Sequence, residues 1–240
     1  MPDAVLSIDL AFKSYKRFGF CVLRGTRTSS HAEFPPLSEF GISGKPNAAD
    51  FVAGVLRYCS NHGLSVILLD GPQAWKDPQS KLLHCRRCEN ELFTPAKTGI
   101  LGSAKPGPAL GFVQFSIEVF SLLAENHAEL VRQSPVEVSE SVLAVETFPT
   151  SAWRALGLKP LPSRSKTDRH QIEEYATELS DHFGVTMERI PDHDELQAVV
   201  AGLAGLSILE GNPSGYCLAG SPPIYRDDVR CEGFIVNPRL

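Results

Sequence analysis

No apolar stretch in the 240 residues runs far before charge, glycine or proline breaks it. A bilayer-spanning helix needs about 20 predominantly apolar residues, so no membrane span is expected. Met1-Pro2-Asp3 opens with neither a basic region nor an apolar run, which argues against a secretory signal and for a cytoplasmic protein. A basic excess is missing too, since 23 Lys and Arg face 28 Asp and Glu, a net charge of −5. Proteins that grip duplex backbone along their length carry the opposite balance. Nucleic-acid contact would therefore be local, at clusters such as Arg86-Arg87 or residues 164–169.

The six cysteines lack the pattern of a zinc or haem site. His84, Cys85 and Cys88 lie together, but a structural zinc site takes four ligands, usually with a second closely spaced pair. Cys21, Cys59, Cys217 and Cys231 are isolated, leaving only His62 or His31 to recruit. Haem attachment needs the histidine after the second cysteine, and here it precedes the first. Free thiols or small buried hydrophobes are the expectation. There is no internal repeat, low-complexity tract or linker, and the length suits one full-sized domain over residues 1–240.

What is present is an alternation of strand and helix signals. Residues 5–8 form a short apolar run ending at Asp9, and strands are expected again at 18–23 and 30–34, with gaps that suit antiparallel hairpins. Asn47 is placed to cap a helix running to Cys59, with Gly63 to stop it. The apolar run 66–69 then ends in Asp70-Gly71-Pro72, as a parallel crossover strand would. Residues 73–110 are rich in Pro, Gly, Lys and Arg without a sustained period, so a lid or binding loop is expected there. Beyond it come a long helix over 111–133, a strand over 142–145 ending at Glu146, and a short helix over 150–156. A charged helix over 167–183, an apolar-striped helix from near Asp192 and a strand over 232–236 complete the chain. The order predicts an α/β fold: a mixed sheet of about five strands with helices on both faces.

The chemistry concentrates at strand ends. Asp9, Asp70 and Glu146 each terminate a predicted strand, and ligands of open α/β sheets bind outside such carboxyl ends. Asp192-His193-Asp194-Glu195 opens the last helix, from which one carboxylate could turn back to the same crevice. Converging carboxylates repel unless a cation neutralises them, and hard oxygen donors suit Mg2+ or Mn2+. Each acid also has a plainer reading. Asp70 before Gly-Pro forms turns, the helix-start acids cap, and Glu146 could pair with Arg154 or Arg169. Asp9 is the hardest to assign to structure alone, because a carboxylate beside a buried run needs compensation.

Ser7-Ile8-Asp9-Leu10-Ala11, Leu68-Leu69-Asp70-Gly71-Pro72, Val145-Glu146-Thr147-Phe148-Pro149 and Asp194-Glu195-Leu196-Gln197-Ala198, in that order, resemble the "domain of unknown function" family numbered 429. Arg87-Cys88-Glu89 and Glu232-Gly233-Phe234-Ile235 also look like its pattern, and the likeness covers nearly the whole chain. That family is described as predicted nucleases with a ribonuclease H-like fold. The resemblance implies that Asp9 and Asp70 are metal ligands, with Asp194 a third; the strand-end Glu146 is a further candidate catalytic acid that, like Glu195, could substitute for a missing ligand. Related junction resolvases carry two acids three residues apart on the last helix, and here the second position is the neutral Gln197. Two ions roughly 4 Å apart would support in-line phosphodiester hydrolysis. One ion favours slow hydrolysis or binding alone.

Candidate substrate contacts are Arg86 and Arg87 as a phosphate clamp, Lys166 and Arg169 as a second basic cluster, and Trp75 as a stacking surface beside the crevice. Each has a structural counterpart: a solvated loop, a helix face making i, i+4 pairs, and a plug holding the loop on the sheet. Three functions are compatible with this sequence. The first is a metal-dependent nuclease or phosphodiesterase, and the second a nucleotide- or nucleic-acid-binding module without turnover. The third, an actin-like ATPase, would need a second lobe and a glycine-containing loop where Leu10-Ala11-Phe12 stands. A homodimer would suit a branched substrate.

Overall fold

Strand β1 (Ala4–Asp9) is apolar on successive residues because both of its faces are covered. Leu6 and Ile8 point into one core layer with Ile67, Leu69, Phe20 and Val22. Val5 points into the opposite layer with Val66, Leu68, Leu23 and Val145. The computed structural model describes residues 4–239. Along them follow β2 (Gly19–Thr26), β3 (Ser29–Glu33), α1 (Ala48–His62), β4 (Val66–Asp70), α2 (Arg87–Glu91), β5 (Lys97–Thr98) and β6 (Ala104–Lys105). Next come α3 (Leu110–Glu125), β7 (Glu129–Leu130), β8 (Leu143–Thr147), α4 (Pro149–Ala155), α5 (Arg169–Phe183), β9 (Val185–Met187), α6 (His193–Leu209), β10 (Tyr216–Arg226) and β11 (Val229–Pro238).

Seven strands form one sheet in the order β7-β8-β4-β1-β2-β3-β9. Only β2 runs against the rest: it pairs antiparallel with β1 and β3, while β1–β4, β4–β8, β7–β8 and β3–β9 are parallel. The mixed sheet is the one the element order predicts, but it has more than about five strands. The additions are the short edge strands β7 and β9, which offer too few residues for a periodic signal. Helices cover both faces as expected, with α1 and α3 on one side and α4, α5 and α6 on the other.

Local chemistry sets the helix ends. The Asn47 side chain accepts from the Asp50 N–H at 3.0 Å and Gly63 closes α1 at φ 64°. Helix α3 stops at Glu125, short of the expected 133, because Asn126 donates to the Leu122 carbonyl and His127 turns to φ 67°. The chain then enters β7. The stretch Gly107–Glu125 is, by length and composition, apolar enough to cross a membrane, contrary to the expectation that none would be. Within the fold, α3 turns Val113, Phe115, Ile117, Val119, Phe120 and Leu123 inward.

The expected terminal strand at 232–236 belongs to a two-stranded hairpin, β10–β11. Strand β10 escapes sequence reading because Pro222 and Pro223 fall inside it, where the register shifts between Ser221 and Ile224. This hairpin fastens the long segment 73–110. Trp75 donates to the Arg230 carbonyl at 3.1 Å and accepts from Glu232 at 2.8 Å, while the Glu232 carboxylate takes the N–H groups of Asp77 and Arg87.

Candidate active site

Parallel pairing of β1 and β4 sets Ile8 opposite Leu69, so the next residues, Asp9 and Asp70, leave the sheet side by side. Their carboxyl groups lie within hydrogen-bonding reach of each other, which requires a shared proton when no cation is near. Burial holds Asp9 well above the usual carboxylate range, reinforced by the charges of Asp70 and Asp194. Burial also pushes Asp70 up to about 7, against the bond from Asp9 and with the charge of Glu146.

Asp194 reaches this crevice from the first turn of α6. The register of β1 and β2 puts Gly19 opposite Asp9, and a side chain at Gly19 would collide with the Asp194 backbone. Only glycine lets the helix start sit this close. The other acids of the motif serve the helix itself. Asp192 accepts from the Asp194 and Glu195 N–H groups at 2.9 Å, and Glu195 returns to the Asp192 N–H and pairs with Arg189 at 2.6 Å. Asp194 is neutralised within the protein by Arg164 on one oxygen and His193 on the other, at 2.8 Å. The second ring nitrogen of His193 faces the Pro162 carbonyl at 2.9 Å. Both nitrogens face acceptors, so only the imidazolium satisfies both. Burial opposes that charge, but the bonds to Asp194 and Pro162 outweigh it and raise the pKa of His193.

Glu146 is beside the crevice but fully engaged. Arg86 grips it bidentately at 2.5 and 2.8 Å, and the Gln73 N–H adds a third bond at 2.9 Å. The same guanidinium bonds Glu89 at 3.1 and 3.2 Å. Arg86 is 1% exposed. It is therefore the internal partner of two carboxylates and not the expected phosphate clamp, and Glu146 pairs with it rather than with Arg154 or Arg169. Arg87 is exposed and pairs with Glu91. Trp75 is buried against Val113 and Ile117, as a plug for the loop and not as a stacking surface. Arg169 forms an exposed i, i+4 pair with Glu173, and Lys166 sits exposed in the turn that carries Arg164. Gln197 accepts from the Trp153 indole at 2.8 Å, so a neutral amide there satisfies the core.

The donor set fits a hard divalent cation at Asp9 and Asp70, whose proton-sharing oxygens are the ones a cation would claim. Asp194 completes it only by exchanging Arg164 and His193 for the ion. Among the described residues no three His, Cys, Asp or Glu side chains are already grouped as ligands, and Cys85 and Cys88 are free thiols. Sequence reasoning missed Arg164, His193 and Glu89 as site partners. Arg164 and Asp194 are 30 residues apart, a separation that leaves no local pattern.

Beside Asp70 lies a cleft of about 230 Å³ between the Gly71-Pro72 turn, the start of α3, residues 94–96 and the end of β8. Thr147 lines it, and its buried hydroxyl has no hydrogen-bond partner.

No family model matches the chain, and no curated protein matches it. Among solved structures, Thermus thermophilus RuvC aligns at a TM-score of 0.39 and 12% identity, over 91% of this chain and 99% of RuvC. T. thermophilus RuvC in complex with Holliday junction substrate aligns at 0.39 and 14%, over 88% and 97%. Overlap this loose transfers no residue role.

Proposed function

We propose that this chain is a ribonuclease H-like, divalent-metal-dependent hydrolase of phosphodiester bonds in nucleic acid or nucleotides. The observation that carries the reading is the Asp9–Asp70 pair. Two half-buried carboxyls on adjacent parallel strands, bonded to each other, are a costly arrangement with no packing purpose. The ordered motifs around Asp9, Asp70, Glu146 and Asp194 support the same family reading.

Asp9 and Asp70 would hold Mg2+ or Mn2+, with Asp194 joining them. Such an ion supplies an activated water and charge stabilisation at phosphorus. The protein's own groups do the rest. The start of α6 places Asp194 against β1 and β2 through Gly19. Arg164 and His193 hold the Asp194 carboxylate in the metal-free protein and would release it to the ion. Arg86 fixes Glu146, and Glu146 in turn holds the Gln73 amide at the turn beyond Asp70.

The test is calorimetric titration of metal-stripped protein with magnesium and manganese, followed by assay on single-stranded, duplex and branched nucleic acids. Asp9→Asn and Asp70→Asn should each abolish binding and hydrolysis while leaving the melting curve cooperative. Hydrolysis that survives in Asp9→Asn removes the reading. A binding module without turnover is favoured by one specific observation: position 197 carries an amide committed to Trp153, so the last helix offers a single inward acid. Metal-dependent nucleotide binding with no product would select it.

A further inference from the structure

The cleft beside Asp70, about 230 Å³ in volume, has room for a single small ring system. Its apolar lining comes from Pro72, Ala96, Phe112, Val113, Phe148 and Ile235. Two phenyl groups in so small a space offer faces on which a flat molecule stacks. Of the polar side chains that line it, Arg86 is bonded to Glu89 and Glu146 and Thr94 to Ala96, whereas the Thr147 hydroxyl, opposite Asp70 at the ends of β8 and β4, is unpartnered. Thr147 is 1% exposed, so its orphan hydroxyl costs stability unless something bonds to it. An apolar slot with a hydrogen-bonding end is how ligand sites orient a flat heterocycle. At about 230 Å³ the slot is below the usual size for drug-like ligands.

The wall formed by residues 94–96 is held in place by a strained residue. Phe93 sits at φ 55°, a left-handed conformation that an aromatic residue rarely adopts, and the residue is 80% exposed. The strain is held by Thr94, whose N–H reaches the Glu89 carbonyl at 3.1 Å and whose hydroxyl donates to Ala96 at 2.7 Å. Stored strain next to a pocket is a recurrent mark of a binding wall.

From these observations we infer that the cleft receives a nucleobase, stacked on Phe112 and Phe148 and hydrogen-bonded along its edge by Thr147, next to the carboxylate pair that faces its phosphate. The inference rests on the phosphodiesterase reading for the phosphate, but not for the base, and the two can fail separately.

The test titrates the full-length protein in EDTA with adenosine, guanosine, cytidine and uridine, which carry no phosphate and need no metal. Methyl NMR reports on Val113, Ala96 and Ile235. At least one nucleoside should bind saturably and shift those methyls. Ala96→Trp, which fills the slot, should abolish this binding while magnesium titration at Asp9 and Asp70 persists. Thr147→Val, nearly isosteric, should weaken it by up to roughly tenfold, the worth of one hydrogen bond. Asp9→Asn should lose magnesium and keep the nucleoside. Should Ala96→Trp not fold, Thr147→Val and the methyl shifts decide alone. No saturable nucleoside binding in the wild type, binding that shifts none of those methyls, or affinity unchanged in Thr147→Val overturns the base site even if magnesium binds. Comparing a mononucleotide with a single-stranded and a duplex oligonucleotide in EDTA then shows whether the base arrives free, unpaired or flipped out of a helix.

Discussion

The Asp9–Asp70 pair ties the stability of the metal-free protein to pH. In the unfolded chain Asp70 loses its proton near 3.8, whereas in the folded one it keeps it up to about 7. Between these values the folded state binds more protons, so the contribution of Asp70 falls as pH rises from about 4 to about 7, and the raised pKa of Asp9 adds a fall of the same sign. Each pH unit is about 1.4 kcal/mol for a fully shifted group, so the drop is on the order of a few kcal/mol, reduced by the site's partial contact with water. The difference in melting temperature between wild type and Asp70→Asn should widen over this window in EDTA. Magnesium should then raise the wild-type melting temperature more at pH 8 than at pH 5, where protons compete. A difference curve that is flat with pH would remove the shared-proton description. A second residue-scale contrast separates neighbours in sequence. Arg86→Ala strands Glu146 and Glu89 without their cation in a dry site and should cost about 3–5 kcal/mol. Arg87→Ala breaks an exposed pair and should cost under about 1 kcal/mol. Chemical denaturation of the two variants checks both. Asp9 was legible from sequence because a carboxylate that ends a buried apolar run must be met by a proton, a cation or a basic partner. Arg86 was not, since the two carboxylates that bury it come from α2 and β8, and nothing local distinguishes it from Arg87.

Elements bring these residues together, and the closest approach is where α6 begins. Gly19 and Asp194 touch backbone to backbone, while Gly205, further along the helix, faces the Leu68 side chain. Gly19→Ala must therefore move the helix start, carrying Asp194 away from Asp9. Gly205→Ala meets side-chain atoms only, Leu68 Cδ1 and, at 3.1 and 3.3 Å, Val5, and gains helix propensity. Hydrolysis should fall on the order of 100-fold in Gly19→Ala, as displacements near 1 Å do, with a stability loss of about 1–3 kcal/mol. Gly205→Ala should keep its activity and change stability by less. Equal activity in both variants would mean that the placement of Asp194 is immaterial. Three helix starts were well marked in the sequence, because Asn47, Asp168 and Asp192 each cap a helix with side chain to N–H bonds of 2.9 to 3.0 Å, whereas the end of α3 was not. The cap acids also concealed the site, since Asp192 and Glu195 use the same residue type as the one inward carboxylate, Asp194.

At the scale of the molecule, the segment 73–110 is held from a distance of some 150 residues in sequence, by the C-terminal hairpin. Glu232 is the fastening. Its backbone takes φ 62° while its two oxygens accept from the Asp77 and Arg87 N–H groups at 3.1 and 2.8 Å. Sequence periodicity could not show this, because β10 carries two prolines and its partner contacts lie in a stretch without a repeat. Segments that open locally are cleaved in proportion to their open population when reclosing is fast. Hydrogen bonds to a charged group are worth about 1.5–3 kcal/mol each, so losing two raises that population by 100-fold or more, as an order of magnitude. Glu232→Ala should thus be cut by trypsin at Lys81 and Arg87 on the order of 100 times faster than wild type. Its melting temperature should change little by comparison, because the two core layers on the sheet hold no part of this segment. Arg86 rides on the same segment, so Glu146 should lose its cation whenever the segment opens, and cleavage and loss of hydrolysis should rise together. If the cleavage rates of wild type and variant are equal, the segment is held by Trp75 and its packing against α3 instead, and Trp75→Ala becomes the variant that opens it.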